Sequence, residues 1–246
     1  MDEGITASHF GGVSICGASH VRRGLPCQDA FMNANNGSRR ITVVSDGAGS
    51  ASHSDVGAQH FVKTIAAALL NDAVQIGADT LRHHIIKAIE EVKHTLSDTH
   101  QLDLREFAGT LLGAVFDNEH CWIFHVGDGA AVVFGLDSEV YISHPENGEY
   151  ANETFFVTMP NWSEHLRINR VPFKPTAIFV MSDGVTPFAL KGEGIASGFL
   201  KPISKYLMTA TVVVGENALR HLLSGEQATA LCDDDKTLSW ILCNHG

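Results

Sequence analysis

The chain has 246 residues, 44% of them hydrophobic, and 28 acidic against 17 basic side chains give a formal charge of −11. That length suits a single domain over residues 1–246 with a sizeable core, and no run approaches the roughly 20 apolar residues of a membrane span. The acidic balance argues against nucleic-acid binding, which gathers Lys and Arg into a stripe, and Cys16, Cys27, Cys121, Cys232 and Cys243 lack the paired spacing of a disulfide framework or zinc ribbon.

The start, MDEGITASHF, has neither the basic opening nor the apolar run of a secretory signal, so a cytoplasmic location is expected. Residues 12–16 and 41–45 read as strands around a turn-rich loop, RRGLPCQDA. Ser54 or Asp55 can cap a helix running to Leu70. A second helix, from Ala78 or Asp79 to Thr99, carries Leu81, Ile85, Ala88, Ile89, Val92 and Leu96 on one face. Residues 109–116, 121–126, 130–134 and 139–143 then read as consecutive strands with very short turns, suggesting an antiparallel meander. Beyond the polar ENGEYANET come strands at 155–158 and 166–170 and the apolar AIFVMSDG. Helices follow at 196–208 and 216–224, with a closing strand at 237–243. Neighbouring strands interrupted by pairs of helices favour antiparallel sheets covered by helices over a doubly wound parallel sheet.

Three apolar strands or tight turns end in Asp beside Gly: VVSDGAG at Asp46, the GDG turn at Asp128 and FVMSDGV at Asp183. Any one could be an ordinary turn. Their repetition suggests carboxylates held by strand ends, and Asp234 in the run DDDKT adds a fourth. Carboxylates without companion His or Cys ligands favour hard divalent cations. The 14 His residues do not change this, since His83, His84, His94 and His100 share a helix without an HExxH pattern.

The ordered set QDA, SDGAGS, GT followed by VGDG, SDG and DDKT resembles the type 2C protein phosphatases, the PPM family, over nearly the whole chain. The resemblance implies an α+β fold, a four-layer α/β/β/α sandwich of two central antiparallel β-sheets flanked by helices. It also implies a centre of two Mg2+ or Mn2+ ions with a possible third. Asp46 would bridge the two ions, the Gly47 carbonyl would bind one, Asp183 and Asp234 would hold the other, and Asp128 would serve the third. Asp29 matches a group that fixes metal-bound water, with Gln28 where the family commonly has Glu. Arg22 or Arg23 lies near the family's phosphate-binding arginine, whose fork suits two phosphate oxygens. Ala48 stands where many members carry a His, so that protonation of the leaving group would fall to metal-bound water or to an unidentified acid.

On this reading the chain is expected to be a monomeric, metal-dependent phosphoprotein phosphatase opposing a serine/threonine kinase, with a cation-activated water attacking phosphorus directly. Two other phosphatase chemistries are set aside, a cysteine nucleophile in a C-x5-R loop and an aspartyl nucleophile in D-x-D-x-T. The alternatives from other classes are a catalytically silent phosphatase-like binding module, which Gln28 supports best, and a nucleotide phosphatase on the same scaffold. Tyr150, Phe155 and Trp162 could line a binding surface but are better explained as packing and are assigned no role.

Overall fold

The computed structural model describes residues 10–70, 76–146 and 154–243. The N-terminal stretch and Tyr150 lie outside the described residues. Two five-stranded antiparallel sheets carry the fold. One has the order β1 (Phe10–Ile15), β12 (Lys236–Leu242), β9 (Ala177–Met181), β6 (Ala130–Phe134) and β7 (Val140–Ser143). The other has the order β2 (Ala30–Asn35), β3 (Arg40–Ser45), β4 (Leu111–Phe116), β5 (Cys121–Val126) and β8 (Arg167–Arg170).

Period-2 alternation decides the layers, because successive side chains point to opposite faces. On β6, Ala131 and Val133 face the other sheet, packing in one cluster with Leu112, Ala114, Ile123, Ile178 and Val180. Ala130, Val132 and Phe134 face the opposite way, toward α5 (Leu200–Leu207) and α6 (Val212–Ser224), which supply Ile203, Leu207, Leu219 and Leu223. The outer face of the other sheet, with Ile41, Val43, Val115 and Phe124, packs on α2 (Ser54–Leu70) and α3 (Ala78–His100). The result is helix, sheet, sheet, helix, with three apolar interfaces. Fully burying one of these Leu, Ile or Phe side chains contributes roughly 1.5–3 kcal/mol.

Several expectations need correction. The expected meander does not stay in one sheet: β4 and β5 pair in one, β6 and β7 in the other, and the VGDG turn carries the chain between them. Residues 155–158 are not a strand; they form a turn whose Val157 N–H donates to the Gly109 carbonyl at 2.9 Å. Part of the loop read at 22–30 is a helix, α1 (Ala18–Arg23), ended by Gly24 at φ +67°. At six residues it is too short to show a helical period. β2 is likewise an unread strand, paired along its length with β3. Near the C-terminal end the two expected helices are present, as α5 and α6, and short unread elements join them: α4 (Thr186–Ala189), a hairpin of β10 (Leu190–Lys191) and β11 (Gly194–Ile195), and α7 (Glu226–Leu231) after α6.

Candidate active site

Strand register places the acidic endings together. Val44 pairs with Leu112 and Leu111 with Val126, so the end of β3, the start of β4 and the end of β5 coincide. Met181 pairs with both Ala130 and Leu238, so the end of β9 meets the starts of β6 and β12. Asp46, Asp128, Asp183 and Asp234 therefore leave both sheets at one edge of the sandwich. They line a cavity of about 390 Å³ together with Ser19, His20, Arg23, Thr110, Thr154 and Phe156. Carboxylate oxygens of Asp46, Asp128 and Asp183 lie within 4.8 Å of one another.

The backbone around these acids is tightly fixed. The Asp46 N–H donates to Thr110 Oγ1 at 3.0 Å, and the Thr110 N–H returns a bond to the Asp46 carbonyl at 2.8 Å. Thr154 Oγ1 donates to Asp128 Oδ2. The glycines after Asp46 and Asp183 serve close approach rather than a left-handed turn. A Cβ on Gly47 would lie 2.6 Å from the Gln28 carbonyl oxygen, and one on Gly184 only 1.9 Å from that of Asp235.

Asp29 is buried behind the acids. Its Oδ2 accepts from Ser182 Oγ at 2.6 Å, and Ser182 Oγ accepts the Thr237 N–H at 3.0 Å. Its Oδ1 has no hydrogen-bond partner, and neither does Oε1 of the adjacent Gln28. Burial pushes Asp29 up to about 7 despite the Ser182 and Thr237 hydrogen bonds, with the Asp235 and Asp183 charges adding to the rise. Asp46 is raised well above the usual carboxylate range by burial and by the charges of Asp29 and Asp183. Asp183 rises to about 6, chiefly through burial. Acids so crowded favour protons over charge unless a cation is present. The two orphaned buried oxygens, behind a cavity whose acidic lining outnumbers its single imidazole, His20, which lies with Asp234 and Asp235, fit hard cations that keep bound waters.

Of the two candidate arginines, Arg23 lines the cavity, whereas Arg22 Nη2 is ion-paired with Asp233 Oδ2 at 2.5 Å on the surface. The three consecutive acids of DDDKT thus have three situations. Asp233 holds Arg22 and Asp234 faces the cavity. Asp235 is buried, taking the Gly17 N–H on Oδ1 at 2.6 Å, and the Gln28 N–H at 2.6 Å and His20 Nδ1 at 2.9 Å on Oδ2. His20, Asp235, Thr110 and Thr154 were not read from the sequence as site residues. The sequence signals were the adjacency of Asp235 to Asp234 and the GT motif that contains Thr110.

The chain does contain both rival phosphatase spacings, Cys16 to Arg22 as C-x5-R and Asp233 to Thr237 as D-x-D-x-T. Neither has the required chemistry. The Cys16 thiol is pushed up by burial and by Asp235, opposite to a nucleophilic thiolate, and Asp233 is occupied by Arg22 outside the cavity. Trp162 is core packing, its Nε1 donating to Glu90 at 3.2 Å, and Phe155 stacks on His165. A larger groove of about 750 Å³ near Phe188, Phe199 and Leu231 has only His221 and Glu226 as ionisable lining among the described residues.

The family model described as protein phosphatase 2C matches residues 16–224. The serine/threonine-protein phosphatase 3 of Escherichia coli K12 is 30% identical over 244 residues, covering 93% of this chain and 96% of that one. The S. agalactiae serine/threonine phosphatase structure superposes with a TM-score of 0.69 at 14% identity, covering 96% of this chain and 99% of that one. The Staphylococcus aureus serine/threonine phosphatase Stp1 gives 0.67 at 15% identity, over 100% and 98% of the two chains. These likenesses, together with the edge-on cluster of acids in a helix-flanked double sheet, show that the chain belongs to the protein phosphatase 2C family.

Proposed function

We propose that the chain hydrolyses phosphoserine and phosphothreonine in proteins with the help of divalent cations, working as one domain over residues 1–246. The observation that carries this reading is one cavity bordered by four acids from four distant segments and by Arg23. Asp46, the Gly47 carbonyl, Asp183 and Asp234 would hold two ions, Mg2+ or Mn2+, and Asp128, steadied by Thr154, would hold a third. When bound, these cations supply a nucleophilic water near neutral pH and offset the charge of the phosphoryl oxygens.

The chain's own groups do the rest. Arg23 binds two phosphate oxygens with its guanidinium fork. Asp29 and Gln28, buried beside the cavity-lining Asp46 and Gly47, each have a side-chain oxygen without a protein partner that would accept from water held by the cations. Ser182 and Thr237 hold Asp29 in place, and Thr110 fixes the Asp46 backbone. The full set of cavity carboxylates leaves the silent-module alternative without an observation in its favour. No helix among the described residues is long and apolar enough to cross a membrane. The proposal is of a cytoplasmic, monomeric enzyme that opposes a serine/threonine kinase.

The test uses purified protein, a phosphoserine peptide and a nucleotide monophosphate at equal Mn2+. Release of phosphate from the peptide should require cation, stop with chelator and be lost on Asp46→Asn. Full turnover in chelator would remove the reading, and preference for the nucleotide would move it to another substrate class.

A further inference from the structure

His20 stands one helical turn before Arg23 on α1, and both line the cavity. Its ring is 3% exposed and its Nδ1 lies 2.9 Å from Asp235 Oδ2. A carboxylate that already takes two backbone N–H groups can only accept, so Nδ1 carries the hydrogen. The nitrogen that exchanges a proton is then Nε2, for which no hydrogen-bond partner is found among the described residues.

Among the protein's own described groups around the cavity, this ring is the one suited to act as an acid. Ala48 follows the Asp46-Gly47 pair and has no proton to give. Arg23 does not deprotonate, and the hydroxyls of Ser19, Thr110 and Thr154 are too weakly acidic. The cavity carboxylates are the groups that would hold the cations. His20 is the one imidazole lining the cavity, and it is oriented by a buried carboxylate in the manner of an acid–base pair.

We propose that His20, oriented by Asp235, is the general acid that protonates the departing seryl or threonyl oxygen. The ester P–O bond breaks with its electron pair on the seryl or threonyl oxygen, which takes the Nε2 proton. Water provides the oxygen of the new P–O bond, and a proton from that water restores the imidazolium through solvent. The assignment rests on the phosphatase reading.

The decisive comparison is between leaving groups. In saturating Mn2+, His20→Gln should lower kcat on a phosphothreonine peptide on the order of 100-fold or more. It should change kcat on p-nitrophenyl phosphate, whose leaving group needs no proton, by less than about 3-fold. Equal losses on both substrates would show a structural or cation-binding role and overturn the assignment. As a second measurement needing no variant, kcat of the wild-type enzyme across aryl phosphates of increasing phenol basicity should stay nearly flat. A steep decline would also overturn it. Absence of turnover on every phosphoester by the wild type would instead remove the phosphatase reading, and this proposal with it.

Discussion

Stripping the cations should make the protein less stable as pH rises, and Asp29 sets the scale. Its pKa climbs from 3.8 to about 7 on burial, so the native state binds a proton that the unfolded chain has already released between about pH 4 and 7. With more protons bound to the native state, unfolding free energy falls as pH increases through that window and levels off above it. Roughly three pH units at about 1.4 kcal/mol each give on the order of 4 kcal/mol from this one group. For a chain of this size that corresponds to a Tm lower by about 10 °C. Asp183, raised to about 6, acts in the same direction at the lower end of the window. Thermal melts in EDTA between pH 5 and 8 measure the effect. Saturating Mn2+ should flatten the dependence, since the cation replaces the protons. Asp29→Asn, which keeps an oxygen for Ser182, should raise Tm in EDTA at pH 8 and remove most of the slope. A Tm in EDTA that is constant or increases from pH 5 to 7 would refute the reasoning.

The remaining predictions concern single side chains. Arg23→Ala should raise KM for a phosphopeptide about 10-fold or more, while Arg22→Ala, losing an exposed pair worth about 0–1 kcal/mol, should leave KM and Tm nearly unchanged; steady-state kinetics on both variants decide between them. Gly184→Ala puts a Cβ against the Asp235 carbonyl and should cost about 1–3 kcal/mol in denaturant melts. A variant of wild-type stability would mean that this close approach is not maintained. Gln28→Glu adds a charge where Oε1 has no partner, and calorimetric titration should show Mn2+ bound about 10-fold more tightly, whereas weaker binding would place Gln28 away from the cations.

The long elements were legible because their patterns are periodic. The stripe Leu81, Ile85, Ile89, Val92, Leu96 marks α3 whatever it packs against, and AIFVM is too apolar to be anything but a buried strand. The Asp-Gly endings were visible for the same reason, since each interrupts an apolar run. Short elements gave no such signal. α1 spans less than two turns and was hidden among Gly, Arg and Pro, while Phe155 and Val157 looked like strand residues although they serve a turn against Gly109.

What the sequence determined by itself is the alternation that builds two sheets and the chemistry of the residues at their ends, because both are local properties of the chain. Tertiary structure alone decided which of several chemically identical side chains does what. Arg22 and Arg23 are neighbours, yet one turns to Asp233 and the other to the cavity. Asp233, Asp234 and Asp235 are consecutive, yet they serve a surface pair, the cavity and a buried hydrogen-bond hub around His20. The physical reason is that burial and partners come from β9, α1 and the Gln28 backbone, segments far away in sequence. Charge, proton affinity and role follow from those neighbours and not from residue type.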